Sequence, residues 1–206
     1  MINTIKKAAL IVGGNLTKTT KMPCGSYSLP AKECKQGSKL RCISGSVCSD
    51  CYAHKGNYKR YHKTIDKAQY RRLASLKHPY WALAMKYLIE KDNKGFFRWH
   101  DSGDLQSLDH LKNIIKVAKL TPNVKHWLPT KESHLIKNYG GDIPENLIIR
   151  LSGTMIDGKA PNYKNTSTVV TDSAAADCRA FENKGRCGDC RKCWDKTIKN
   201  IAYLKH

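Results

Sequence analysis

Apolar and polar residues alternate along this chain in two rhythms, and the rhythm changes several times. Across residues 64–93, Leu73, Leu76, Tyr80, Trp81, Leu83, Ala84, Tyr87 and Leu88 form an apolar stripe. Their spacing predicts a helical stretch interrupted near His78-Pro79, where proline suits the first turn of a restarted helix. Residues 95–100 (Gly-Phe-Phe-Arg-Trp-His) are short and aromatic, as strands are. The helical period returns over 108–120, with Leu108, Leu111, Ile114, Ile115 and Ala118 on one face. Residues 124–128 predict a second strand, 132–139 a short helix, 147–151 a third strand and 167–171 a fourth. At the start, Lys6 and Lys7 precede Ala8-Ala9-Leu10-Ile11-Val12, an imitation of an export signal. That apolar run is too short for one, and Asn15, Thr17 and Lys18 stand where small cleavage-site residues belong. It is expected to be a buried strand in a chain that stays in the cytosol.

Strand, helix, strand, helix, strand is the pattern of parallel strands joined by right-handed crossovers. The expected class is therefore α/β, a partial (β/α) barrel or open parallel sheet with cysteine-rich N- and C-terminal loops. At 206 residues the chain fits one domain. Its divisions are an N-terminal strand and cysteine loop (1–63), an α/β core (64–177), and a C-terminal cysteine motif and helix (178–206). No run of about 18 apolar residues occurs, so no membrane span is expected.

In parallel folds the site lies at the carboxyl ends of the strands. Those ends hold His100, Asp101, Ser102, Gly103 and Asp104, then Thr130 and Lys131, Ser152 and Gly153, and Asp172 and Ser173. Strand ends need turn-forming residues anyway, so each one alone reads as structural. Together they mark a pocket, with His100, Asp101, Asp104, Lys131, Ser152 and Asp172 as its candidate residues. A histidine and two aspartates within five residues also suit a mononuclear metal site.

The cysteines change the picture most. There are nine: Cys24, Cys34, Cys42, Cys48, Cys51, Cys178, Cys187, Cys190 and Cys193. An odd number without an export signal argues against disulfides. None falls in the 126 residues between Cys51 and Cys178, whereas cysteines used only as small hydrophobes would be scattered. Cys187-Gly-Asp-Cys190-Arg-Lys-Cys193 matches the first three ligands of a bacterial ferredoxin run, and Cys178 is the natural fourth. Gly185 and Gly188 give this loop backbone freedom. Zinc takes four thiolates too, but usually from two separated C-x-x-C pairs. The N-terminal set is Cys34, Cys42, Cys48 and Cys51, and a thioredoxin-like dithiol competes for the last two. Cys24 reads as a packed thiol. The expected cofactor is an iron–sulfur cluster of the 4Fe-4S kind, one or two per chain, with zinc as the alternative.

The net charge of +20 favours a polyanionic partner, nucleic acid above all. Lys55, Lys59, Arg60, Lys63, Arg71 and Arg72, interleaved with Tyr52, Tyr58, Tyr61 and Tyr70, suit phosphate contact and base stacking. They equally suit the solvated face of a helix.

Several segments carry a family resemblance. They are Gly14-Asn15-Leu16-Thr17-Lys18, Ser28-Leu29-Pro30-Ala31 with Cys34, and Cys48-Ser49-Asp50-Cys51-Tyr52-Ala53. His100-Asp101-Ser102-Gly103-Asp104 and the ending from Gly185 to Trp194 continue them. Together they resemble the phage-encoded gene product eighty-eight domain proteins over nearly the whole chain. That family is in turn similar to cysteine-rich, partial-barrel proteins of the radical S-adenosylmethionine type. The resemblance implies a virus-encoded protein working in a bacterial cytoplasm, with S-adenosylmethionine among its conceivable ligands.

The radical enzymes use a C-x-x-x-C-x-x-C loop with an aromatic residue before the last cysteine. Here five residues separate Cys42 from Cys48, and Asp50 precedes Cys51. No Gly-Gly-Glu run follows a strand, so Asp101 or Asp104 would hold the methionine amine. If Cys34 also ligates, no iron stays open. The expected function is thus a redox-active or redox-sensing iron–sulfur protein whose basic surface engages nucleic acid. A radical S-adenosylmethionine-type enzyme is the alternative, and a zinc-stapled nucleic-acid-binding protein the second.

Overall fold

Thr4 opens the first helix, its hydroxyl accepting a hydrogen bond from the Lys7 amide at 3.1 Å. The apolar run expected as a strand is therefore helical: α1 spans Ile5–Ile11. Ala8 and Val12, four residues apart, face the core, while Leu10 is 76% exposed, so the run buries one side as a helix does. A five-residue apolar run does not by itself distinguish the two states. The computed structural model describes residues 2–205.

One sheet collects seven strands: β1 (Thr17–Lys18), β2 (Gly25–Tyr27), β3 (Phe96–Trp99), β4 (Lys125–Thr130), β5 (Leu147–Ile156), β6 (Thr166–Val170) and β7 (Asn200–Leu204). They lie side by side in sequence order, and every pair after β1·β2 is parallel. The sheet is open, as one of the two expected architectures required. When parallel strands follow one another in order, right-handed crossovers send every helix to the same face. That face carries α1, α5 (Trp81–Asp92), α6 (Leu108–Leu120) and α7 (Ser133–Lys137). Before α5, the β2–β3 connection winds through α2 (Lys35–Arg41), α3 (Gly56–Arg60) and α4 (His62–Ser75).

The main core lies between sheet and helices. Phe97, Trp99, Leu128, Leu147, Ile149 and Leu151 meet Trp81, Met85, Leu111 and Ile114 there. Full burial of each such side chain contributes about 1.5–3 kcal/mol. The stripe over 108–120 is met to the residue by α6, because Ser107 caps it by accepting from the His110 amide at 3.1 Å. The break expected near His78-Pro79 separates α4 from α5.

Strand alternation sends Phe96, Arg98, Trp127 and Ile148 to the opposite face. Among the described residues, no α-helix covers that face. A second, smaller core of Cys24, Trp127, Ile148 and Trp194 does, flanked by Met22, Phe96, Cys193 and Tyr203. The helix expected in the C-terminal segment is replaced by two 3-10 turns (Arg179–Asn183 and Lys192–Trp194) and by β7. β7 is extended because β6 offers it a full parallel ladder from Thr166↔Asn200 to Val170↔Leu204, and pairing of that kind overrides local preference. Among the described residues, no helix is long and apolar enough to cross a membrane.

Candidate metal centres

The two cysteine groups occupy different places on this sheet. The N-terminal group sits at the carboxyl ends of β3, β4 and β5. Its loop is pinned to each in turn. Tyr52 and Tyr58 donate from their hydroxyls to the Asp101 carbonyl and carboxylate, just past β3. The Gln36 amide donates to Glu132 Oε1 at 2.8 Å, just past β4. The Val47 amide donates to the Thr154 carbonyl and the Ile156 amide to that of Gly45, so the loop pairs with the outer end of β5.

Within that loop the sulfurs of Cys34 and Cys48 border the same space beside Gly37, and Cys51 acts on both thiols. Burial pushes the Cys34 thiol up, and Asp104, Cys51, Cys48 and Glu132 push it further. Burial likewise raises Cys48, partly offset by Lys131. Gly37, buried in the first turn of α2, leaves the space beside them. A Cβ on it would stand 2.8 Å from Cys34 Cβ and 3.7 Å from the sulfurs of both Cys34 and Cys48. Glycine inside a helix is destabilising by roughly 0.5–1 kcal/mol relative to alanine, and this cradle is the reason it is there. Cys42 is different. It is exposed at the end of α2, its thiol directed at the Ser38 carbonyl of its own helix at 4.0 Å.

The strand-end candidates divide into three kinds. Asp104 is buried, and burial raises its carboxyl to about 6 although Thr130 (2.6 Å) and the amides of Lys131 and Leu105 (2.9 and 2.7 Å) donate to it. With Lys131 it borders the N-terminal thiols. Asp101 is taken up in positioning, its Oδ1 accepting from Ser26 at 2.5 Å. His100 lies in the core behind the rim, in left-handed backbone (φ 54°), its ring 5.3 Å from that of His110. Ser152 pairs with Ser167 at 3.2 Å on the sheet, and Asp172 is exposed, capping a turn through the Ala174 amide. Among the described residues, no group of three or more His, Cys, Asp or Glu side chains is placed so that it could hold a single metal ion. The expectation of a mononuclear site at His100, Asp101 and Asp104 therefore has no geometry behind it.

The C-terminal group lies over the helix-free face. Cys178 and Cys190 raise the Cys187 thiol there, and Cys178 and Cys187 raise that of Cys193. Burial lifts Cys193 to about 11, and its sulfur lies 3.1 Å from the Tyr203 hydroxyl. Cys178 is bridged to β7, its amide donating to the Ala202 carbonyl at 3.1 Å. The Cys187 amide donates to the Lys21 carbonyl at 2.8 Å. Trp194 anchors the motif, its indole N–H donating to the Phe97 carbonyl at 2.9 Å between the rings of Phe96 and Trp127.

Arg150 does the rest, and its role was not evident from the sequence. Fully buried in β5, its guanidinium donates to the carbonyls of Cys193, Lys192, Asp195, Ile198 and Thr166 at 2.6–3.4 Å. A charge inside the apolar run Leu147-Ile148-Ile149-Arg150-Leu151 was the available signal, since a buried charge needs a dedicated set of partners. Glu132, fully buried beside Cys34, was likewise missed. Cys24 is packed among Trp127, Ile148 and Trp194, and burial raises its thiol to about 12.

A model of the Gene product 88 family matches residues 3–196. The chain belongs to that family of phage gene products. Neither the curated proteins nor the solved structures contain a match to it.

Free thiols carry the donor chemistry that an iron–sulfur cluster would use. All nine cysteines are free thiols, and seven of them gather in two groups drawn from distant parts of the chain.

Proposed function

We propose that this member of the Gene product 88 family is an iron–sulfur protein with two clusters of unlike ligation, acting in electron transfer or redox sensing in the cytoplasm of an infected bacterium. The observation that supports this best is the pair of thiol groups. Cys178, Cys187, Cys190 and Cys193 would enclose a 4Fe-4S cluster with four thiolates. Cys34, Cys48 and Cys51 supply three, at the carboxyl ends of parallel strands, with Asp104, Lys131 and Glu132 beside them. A cluster held by three thiolates keeps one iron for an outside ligand.

That last point favours a second reading, a radical S-adenosylmethionine-type enzyme. With Cys42 set aside, the inclusion of Cys34 no longer closes the N-terminal site. Substrate would then meet the site at the carboxyl-end rim, beside Asp104 and Lys131. Reaction through the bound ligand would cleave it reductively, with the C-terminal cluster relaying electrons.

The net charge of +20 keeps a nucleic-acid partner in this proposal. The stacking role expected of the tyrosines shrinks to Tyr61, which is exposed, because Tyr52 and Tyr58 are tied to Asp101 and Tyr70 to Glu33. Arg72 is buried among Ser28 and Asn15 and presents no charge to a partner.

Anaerobic assembly followed by iron, sulfide and zinc quantification tests the reading. Two clusters' worth of iron and labile sulfide per chain is the expected result. A colourless chain with stoichiometric zinc overturns it. Formation of 5′-deoxyadenosine from S-adenosylmethionine by the reduced protein separates the second reading from the first.

A further inference from the structure

Helix α4 has two unlike sides. Gln69, Arg72 and, just past its end, Leu76 are buried, and Ile65 is half-buried one turn before them. Lys63, Lys67 and Arg71 recur every four residues, and all three are exposed. At 3.6 residues per turn this basic row runs along the side opposite the buried one, with about 6 Å of helix between successive members. Asp66, the one carboxylate of α4, does not offset it, because it pairs with Lys32 at 2.8 Å. Among the described residues, none of Lys63, Lys67 and Arg71 stands in an ion pair. On other helices lysines are served locally: Lys86 pairs with Glu90 at 2.7 Å on α5, and Lys112 with Asp109 at 3.6 Å on α6.

The row also works against the helix that carries it. Like charges four residues apart repel along a helix. Lys63 lies in the first turn, where the helix dipole disfavours a cation. That end has neither a side-chain cap nor an acidic residue to compensate. Local rules broken on an exposed face, with no packing gained in return, point to a ligand. We propose that the row Lys63, Lys67 and Arg71 on α4 is the surface that takes the phosphate backbone of a nucleic acid. This rests on the nucleic-acid partner of the reading above and gives that partner a place. The row is about 12 Å long, and over that length one strand carries about three phosphates, at roughly 3.4 Å each. Contacts of this kind position a partner and carry no sequence information.

The test is fluorescence anisotropy of the full chain with labelled oligonucleotides of several sequences, across a salt series. The wild-type chain should bind them all, more weakly as salt rises. The triple variant Lys63→Gln/Lys67→Gln/Arg71→Gln should lose affinity on the order of a hundredfold at about 0.1 M salt, equally for every sequence. Its log–log salt slope should shrink by about two to three. Lys112→Gln/Lys116→Gln/Lys119→Gln removes the same charge from α6 and should cost no more than about tenfold. Equal losses in the two triple variants would mean that net charge alone attracts the partner, and would overturn the assignment. The α4 variant should melt no lower than wild type, since it relieves like-charge repulsion; a lower melting point would make the row structural. Lys63→Arg/Lys67→Arg keeps the charge and should bind as wild type does, whether or not the triple variant folds, and weakened binding there counts against the proposal. Binding to phosphatidylglycerol vesicles that is lost in the α4 variant, with oligonucleotide binding unmoved, would assign the row to a membrane instead. A wild-type chain that binds no oligonucleotide removes the nucleic-acid reading itself, whereas binding that the α4 variant keeps strikes only this placement.

Discussion

The C-terminal motif ends in a loop that an arginine grips by its carbonyls, whereas the N-terminal thiols flank a short helix that a glutamate grips by the Gln36 amide. Arg150 meets five carbonyls from inside the sheet, and Trp194 fills the face above it. Four thiols are thereby set over a closed surface. Around Cys34, Cys48 and Cys51 the supports are fewer, and the neighbours are ionisable groups at strand ends. The lesson is one of division. The C-terminal motif is anchored through its last cysteine and Trp194 on the packed sheet face, and the N-terminal thiols lie where strands end and polar groups converge.

Breaking the stronger support should have the largest effect. Arg150→Leu leaves buried carbonyls without donors, at a cost on the order of 3 kcal/mol. Urea unfolding should show that loss, and iron counting should show the C-terminal cluster gone and the N-terminal one kept. Loss of iron from both groups alike would mean that the supports are not separate.

The ionisable surroundings of the N-terminal group can be read through pH in the metal-free chain. Asp104 is raised from 3.8 to about 6, so the folded state holds a proton that the unfolded state releases, and its contribution to stability falls as pH rises from about 4 to about 6. His110 and His126 run the other way. Burial lowers both from 6.5 to about 3, so stability rises with pH across that interval. Two histidines outweigh one carboxyl, and the net curve should climb. Asp104→Asn removes the opposing contribution and should steepen the climb by about 3 kcal/mol between pH 4 and 6. Superimposable urea midpoints for the two proteins would rule this out.

A subtler probe is Gly37→Ala. By helix propensity alone it would stabilise α2 by up to about 1 kcal/mol. The new Cβ meets Cys34 at 2.8 Å, so the expected outcome is loss of one cluster's iron without any gain in stability. Full iron with raised stability would mean that the space beside the thiols is not used. The smallest effect belongs to Cys42→Ser. Its iron content should equal that of wild type while Cys34→Ser loses one cluster's worth, and the reverse result would restore Cys42 to the ligand set.

Much of the fold was legible along the chain. Long periodic stretches came through because their signal is strong: α6 with its Ser107 cap, α4 and α5 around His78-Pro79, and the aromatic strand β3. Short apolar runs did not. Ala8–Val12 formed a helix and the segment after Trp194 a strand, since five residues fit either state and the partner decides. β1 and β2, two and three residues long, left no periodic trace.

The candidate centres divide along the same line. The spacing of Cys187, Cys190 and Cys193 is a local property, and one turn of chain carries it wherever it folds. The sequence alone therefore determined that three cysteines stand within seven residues of one another there, and that the core is α/β. Only the tertiary structure decided that Cys178 joins them across β7 and that Cys34 meets Cys48 and Cys51 while Cys42 faces solvent. It alone placed Arg150 beneath the C-terminal motif. The physical reason is that these contacts join residues far apart in the chain, through a sheet register and a burial pattern that no short window of sequence contains.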